Sequence, residues 1–137
     1  MADWTSTEDV RRLPAVGEAA DPAYWRDYGV GDDYVERWHN VGSALGVTAL
    51  GLNACTGDPG DVLMVEHEEV SFGGQEEVYL VLAGRARFTL DGEDVELGPG
   101  GAVRCAARVQ RVAVALEPAT TVVAVGSFPE RAYGADG

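Results

Sequence analysis

At 137 residues, with 46% hydrophobic and 24% charged side chains, the chain has the size and composition of one globular domain with a real core. Its 10 basic against 23 acidic residues leave a net charge of -13, which argues against nucleic acid and anionic membrane surfaces as partners, because a polyanion would be repelled over most of the surface. All the basic residues are arginine, so a Schiff-base lysine, a phosphate-loop lysine and a lysine general base are excluded outright.

Two cysteines, Cys55 and Cys105, are too few for a disulfide scaffold and too far apart for a CxxC site, so they read as buried reduced thiols. The first residues carry no basic segment followed by an apolar run, and no stretch reaches the roughly 20 apolar residues that span a bilayer. A cytoplasmic protein is the expectation.

Residues 1–46 hold all three tryptophans, and read as an N-terminal helical arm. Ser6, Thr7, Glu8 and Asp9 carry the oxygens that cap a short helix before Pro14. A second helix is expected from Asp33, where Glu36 three residues on makes a capping-box-like pair. Val35, Trp38, Val41 and Leu45 then share one apolar face, until Gly46 stops the helix. That face is expected to lie on a sheet or on a partner subunit.

From Val47 the pattern changes to short alternating strands at intervals of about 8 to 12 residues, the rhythm of a sandwich or barrel. Strands are expected over Val47–Ala54, Val62–Val70, Glu77–Ala83, Arg85–Leu90, Val95–Leu97, Ala102–Cys105, Val109–Leu116 and Thr121–Val125. Asp91-Gly92 is the sharpest turn signal, since a two-residue hairpin needs positive φ, and Gly adopts that without steric cost. Arg85, Arg87 and Thr89 alternate with Ala86, Phe88 and Leu90, so that strand wets one face and buries the other. The segment Glu77–Ala83 is apolar on both faces. It therefore calls for cover on both sides, with core within and a helix or second subunit without, and a homodimer is the corresponding expectation.

Glu77, six intervening residues and Gly84, then the Asp91-Gly92 hairpin and Leu97-Gly98-Pro99-Gly100, together resemble the cupin superfamily. The resemblance covers residues 47–127 and implies a mainly β fold, a double-stranded β-helix or jelly-roll barrel, with a tail at 128–137. It also implies a metal cage that this chain lacks. The histidine pair expected just before Glu77 is absent. Ala106, Arg108, Arg111 and Ala115 stand where the second motif usually has proline, glycine, the third metal histidine and asparagine.

Two site readings follow. In the first, Arg111 occupies the place of the missing histidine and pairs with Glu77, so that a guanidinium and a carboxylate replace the metal, with Tyr79 beside them. It requires that Ala113 and Ala115, which share a face with Arg111, point inward rather than the bulkier Val112, Val114 and Leu116. In the second, His67 and Glu69 lie on one face of a strand as a displaced pair and join Glu77 to hold iron, manganese or zinc. Other features carry less. His39 reads as a surface or packing residue, no serine has the setting of a nucleophile, and Glu76 and Glu77 point to opposite faces of their strand.

Three functions remain open. The favoured one is a cupin without a catalytic metal, which binds a small molecule through Glu77, Tyr79 and Arg111 or serves as a dimeric accessory module, and no catalytic residue is assigned. The others are a metal-dependent oxygenase or isomerase using His67, Glu69 and Glu77, and a structural dimer whose barrel is filled by side chains.

Overall fold

The computed structural model describes residues 10–19 and 31–131. The expected capping residues Ser6 to Asp9 lie outside them. Among the described residues, nine strands form two antiparallel sheets that face each other across the core. The strands are β1 (Trp38–His39), β2 (Gly51–Gly57), β3 (Val62–His67), β4 (Glu76–Ala83), β5 (Ala86–Leu90), β6 (Glu93–Leu97), β7 (Ala102–Cys105), β8 (Arg111–Ala115) and β9 (Thr120–Ser127). One sheet runs β1-β2-β9-β4-β7 and the other β3-β8-β5-β6. This is the jelly-roll arrangement.

Alternation decides what enters the core. Along β8, Arg111, Ala113 and Ala115 are buried while Val112 and Val114 are half-buried, so the small face points inward. The reason is volume. Phe88 on β5 lies opposite Ala113, and the fully buried Phe88 ring sits 6.1 Å from that of Tyr79 across the sandwich. Bulky residues on one strand thus face alanines on its neighbours, the large-against-small fit of a close-packed interior. Cys55 and Cys105 are both buried and free, and burial pushes the Cys55 thiol up to about 12, leaving it inert.

The expected helix from Asp33 to Leu45 is broken. The chain instead forms α1 (Asp32–Arg37), the short strand β1, and α2 (Val41–Leu45). Trp38 pairs with Cys55 and joins the inner core with Tyr34, whereas Val41 packs with Ala54 and Leu45 on the outer side of the same sheet. One straight helix could not serve both sides of β2. The break is set by Asn40, whose side chain accepts from the Ser43 N–H at 3.3 Å and restarts the helix, and Gly46 ends it at φ 72°.

Several strand limits also move. β2 begins at Gly51 instead of Val47, β9 extends to Ser127, and β3 stops at His67 instead of Val70. Register shifts in β3 on either side of Met64 carry the chain out of the sheet, and residues 70–72 form a 3-10 turn. Gly73 and Gly74, both at positive φ, then bring it back into β4. The Asp91-Gly92 hairpin forms as expected, with φ of 49° and 85°.

Outside the sheet, Val78 and Leu82 of β4 are 39% and 48% exposed, so the described residues leave uncovered the face for which the pattern demands cover. Gly84 closes the β4–β5 connection at φ 74°, where a Cβ would meet Thr120 Cα at 2.6 Å. Gly84→Ala is therefore expected to cost about 2–4 kcal/mol in urea denaturation. A loss below about 0.5 kcal/mol would show that the turn accommodates a side chain.

Candidate functional site

The site is built where the end of β3, the turn after it and the first residues of β4 meet above the core. Glu77 stands on the inward face of β4, while Glu76 points outward and binds Arg104 at 2.7 Å. The opposite orientations expected of this acidic pair are those of the structure. Tyr79, two residues on and on the same face, donates its hydroxyl to Glu77 Oε1 at 2.5 Å.

His67 reaches the same carboxylate from the facing sheet, with Nε2 3.7 Å from Glu77 Oε1 and 3.9 Å from Glu69 Oε1. Its orientation is fixed. Nδ1 lies 2.8 Å from the Val65 carbonyl, which can only accept, so Nδ1 carries a hydrogen and Nε2 is turned toward the acids. Glu69 does not share a strand face with His67, as the sequence pattern suggested, because β3 has already ended. A backbone hydrogen bond from Glu69 N to the Ala107 carbonyl, 2.7 Å, holds the turn that delivers it.

Arg111 is fully buried beneath this cluster, paired with His67 in the β3–β8 register, and its Nη2 lies 3.9 Å from Glu77 Oε1. Nη2 also donates to the carbonyls of Cys105 and Ala106 at 3.4 and 3.3 Å. Nε and Nη1 are buried with no hydrogen-bond partner among the described residues. The guanidinium is thus inside the barrel.

Protonation follows from these neighbours. Burial pushes Glu77 upward, but hydrogen bonds from His67, Tyr79 and Glu69 and the Arg111 charge outweigh it and hold the carboxyl below the usual range. Glu69 goes the other way. Burial and the adjacent Glu77 charge push it up to about 7, so near neutrality it carries a proton it can share with Glu77. Burial alone would lower His67, yet the Glu77 hydrogen bond, the Val65 carbonyl and the two acids raise it. Two acids and one base are therefore tuned apart around a single ionised carboxylate.

These groups are not sealed in. They line one side of a cavity of about 390 Å³, with His67, Glu69, Glu77 and Tyr79 on its wall beside Tyr34, Trp38, Met64 and Phe72. Arg111 is not part of the wall. The expectation that it offers a direct anchor to a ligand is corrected to a position behind Glu77, because 0% exposure leaves it no surface to offer. Sequence reasoning missed Trp38, Tyr34 and Phe72 as cavity residues. Trp38 was legible only as a helix-face residue, and no local signal placed Phe72 at the cavity. His39 is the packing residue expected, its Nδ1 3.3 Å from the Ala19 carbonyl.

No protein-family model matches the sequence, and no curated protein matches it. Solved structures do. A cupin protein from Bacteroides fragilis aligns over 96% of this chain and 97% of its own at a TM-score of 0.67 and 18% identity. KdgF from Halomonas sp. aligns over 58% of this chain and 68% of its own, with TM-score 0.51 and 29% identity. A sugar phosphate isomerase from a cupin superfamily, from Silicibacter pomeroyi, covers 66% of this chain and 57% of its own at TM-score 0.56 and 21% identity. The chain has the cupin fold, its two sheets forming the double-stranded β-helix.

The Glu69 shift gives a sign for pH dependence. A carboxyl whose folded pKa is raised from 4.5 to about 7 binds its proton more tightly when folded, so the stability it adds is full below 4.5 and is lost as pH rises through 7. His67, also raised, acts in the same direction, and the lowered Glu77 contributes a constant amount above its unfolded value. The wild-type protein is therefore expected to lose stability between about pH 5 and pH 8, and Glu69→Gln to flatten that slope by roughly 1–2 kcal/mol in urea titrations. An unchanged slope in the variant would show that Glu69 does not hold the proton.

Proposed function

We propose that this cupin binds a small molecule in its barrel without needing a metal, the ligand resting on the apolar wall and orienting on His67, Glu69, Glu77 and Tyr79. Arg111, behind Glu77, is a positioning residue that adds its charge to the His67, Tyr79 and Glu69 hydrogen bonds holding Glu77 ionised. One observation carries the reading: the charged cluster lies on the wall of a cavity of about 390 Å³, within the size range of small-molecule sites, and is not buried in packed core. Glu77 is already held by hydrogen bonds from Tyr79, His67 and Glu69 and by the Arg111 charge, so it needs no metal ion, while the other wall carboxylates leave the cavity acidic. A structural dimer with a filled barrel does not suit a cavity of that volume.

A second reading has a specific observation behind it. His67, Glu69 and Glu77 offer three donor atoms within 4.8 Å of one another, a set that suits iron, manganese or zinc, with Nε2 of His67 turned toward the acids. These three residues would hold the ion, which would supply Lewis acidity to an oxygen-bearing ligand. Binding it means releasing the Glu69 proton and placing the ion beside the Arg111 charge. Metal analysis after chelator dialysis, with a fragment screen by amide NMR, separates the two. We expect less than about 0.1 metal per chain and chelator-independent shifts at Gly51 and Gly126. Stoichiometric metal in the wild type that disappears in His67→Ala would establish the second reading, and no fragment shifting either glycine would remove the first.

We also propose that a second copy covers Val78 and Leu82. The flanking Glu76–Arg104 pair makes this face locally neutral on a chain of net charge -13, so two copies can approach there with little repulsion. Light scattering should give a dimer for the wild type and a monomer for Leu82→Arg. A wild-type monomer at about 100 μM would refute it.

A further inference from the structure

We propose that the cavity is selective for small organic cations, an amine or guanidine carried on an apolar or aromatic body. The inference rests on the small-molecule reading above and specifies its ligand class. Three carboxylates, Glu66, Glu69 and Glu77, contribute to the wall, while the chain has no lysine and no arginine is among the described wall residues. Arg111 is fully buried behind Glu77, and the wall's His67 turns Nε2 toward Glu69 and Glu77, so a bound anion would meet acids before any cation free to receive it. That chemistry disfavours a phosphate ester, whatever the shared fold.

The rest of the wall agrees. The rings of Tyr34, Trp38 and Phe72 and the Met64 thioether supply apolar and π surface, which attracts a cation more strongly than a neutral group of the same shape. Ionised carboxylate oxygens accept only, and Tyr79 spends its hydroxyl hydrogen on Glu77, so although the Asn53 and Gln75 amides both donate and accept, the three carboxylates tip the wall toward acceptors. An ammonium or guanidinium, which is all donor, complements it better than a polyol, which must also find donors for its oxygens. Phe72 is 49% exposed at the cavity and Glu66 is also exposed, so both can be changed without disturbing the core.

The test is amide NMR titration of the labelled full chain at about pH 8 with chelator present. The probes are benzylammonium, benzyl alcohol, benzoate, methyl glucoside and glucose 6-phosphate, read at Gly51 and Gly126. Benzylammonium is expected to bind about tenfold tighter than benzyl alcohol, with benzoate and the sugar phosphate weaker still. Glu66→Gln should weaken benzylammonium severalfold and leave benzyl alcohol unchanged, and Phe72→Ala should weaken both. If benzyl alcohol, methyl glucoside or either anion equals benzylammonium at the same glycines, the cation inference fails and the binding site stands. If no probe shifts those glycines, the inference and the binding site fail together.

Discussion

An ionised carboxylate inside a β-barrel needs a compensating charge, and here that charge is Arg111. Glu77 comes from β4 and Arg111 from β8, one in each sheet, so their attraction ties the two layers at the point where the core opens into the cavity. Removing a carboxylate from water without a partner costs several kcal/mol, and in that case it would neutralise instead. Arg111 shares the inward face of β8 with Ala113 and Ala115, and its Nη2 is held by the Cys105 and Ala106 carbonyls.

The rest of the site follows from keeping Glu77 ionised. Its negative charge draws the His67 imidazole and the Tyr79 hydroxyl, and burial together with that charge raises the pKa of the neighbouring Glu69, so a proton is favoured on one acid and disfavoured on the other. The result is a polar wall on which Glu66, His67, Glu69 and Glu77 all face the cavity. Tyr34, Trp38 and Phe72 complete the enclosure with apolar surface. Arg111 does this without touching the cavity, which is why its role is positional.

Much of this was legible in the sequence, for physical reasons. Period-two alternation identified the strands and the inward side of β4, and the positive-φ demand of Asp91-Gly92 fixed the hairpin. The resemblance carried by Glu77, Gly84 and the hairpin implied the barrel, and Arg111, standing where that resemblance expects a histidine, suggested the ion pair. What stayed hidden depends on contacts distant in sequence. The apolar spacing of Trp38, Val41 and Leu45 satisfies a helix, and only the two-sided packing of β2 breaks it. His67 and Glu69 were grouped correctly but for the wrong reason, since a turn held by Ala107 and not a strand face presents Glu69. Whether Arg111 reached the cavity depended on the depth of the barrel, which no local pattern encodes.

A double-mutant cycle across Arg111 and Glu77, read by urea denaturation at neutral pH, tests the central pairing most directly. Arg111→Met alone is expected to cost about 3 kcal/mol, because it takes the guanidinium charge from the half-buried Glu77 carboxylate, and to cost less than about 1 kcal/mol when Glu77→Gln is already present. Equal costs in the two backgrounds would show that the guanidinium and the carboxylate do not depend on each other.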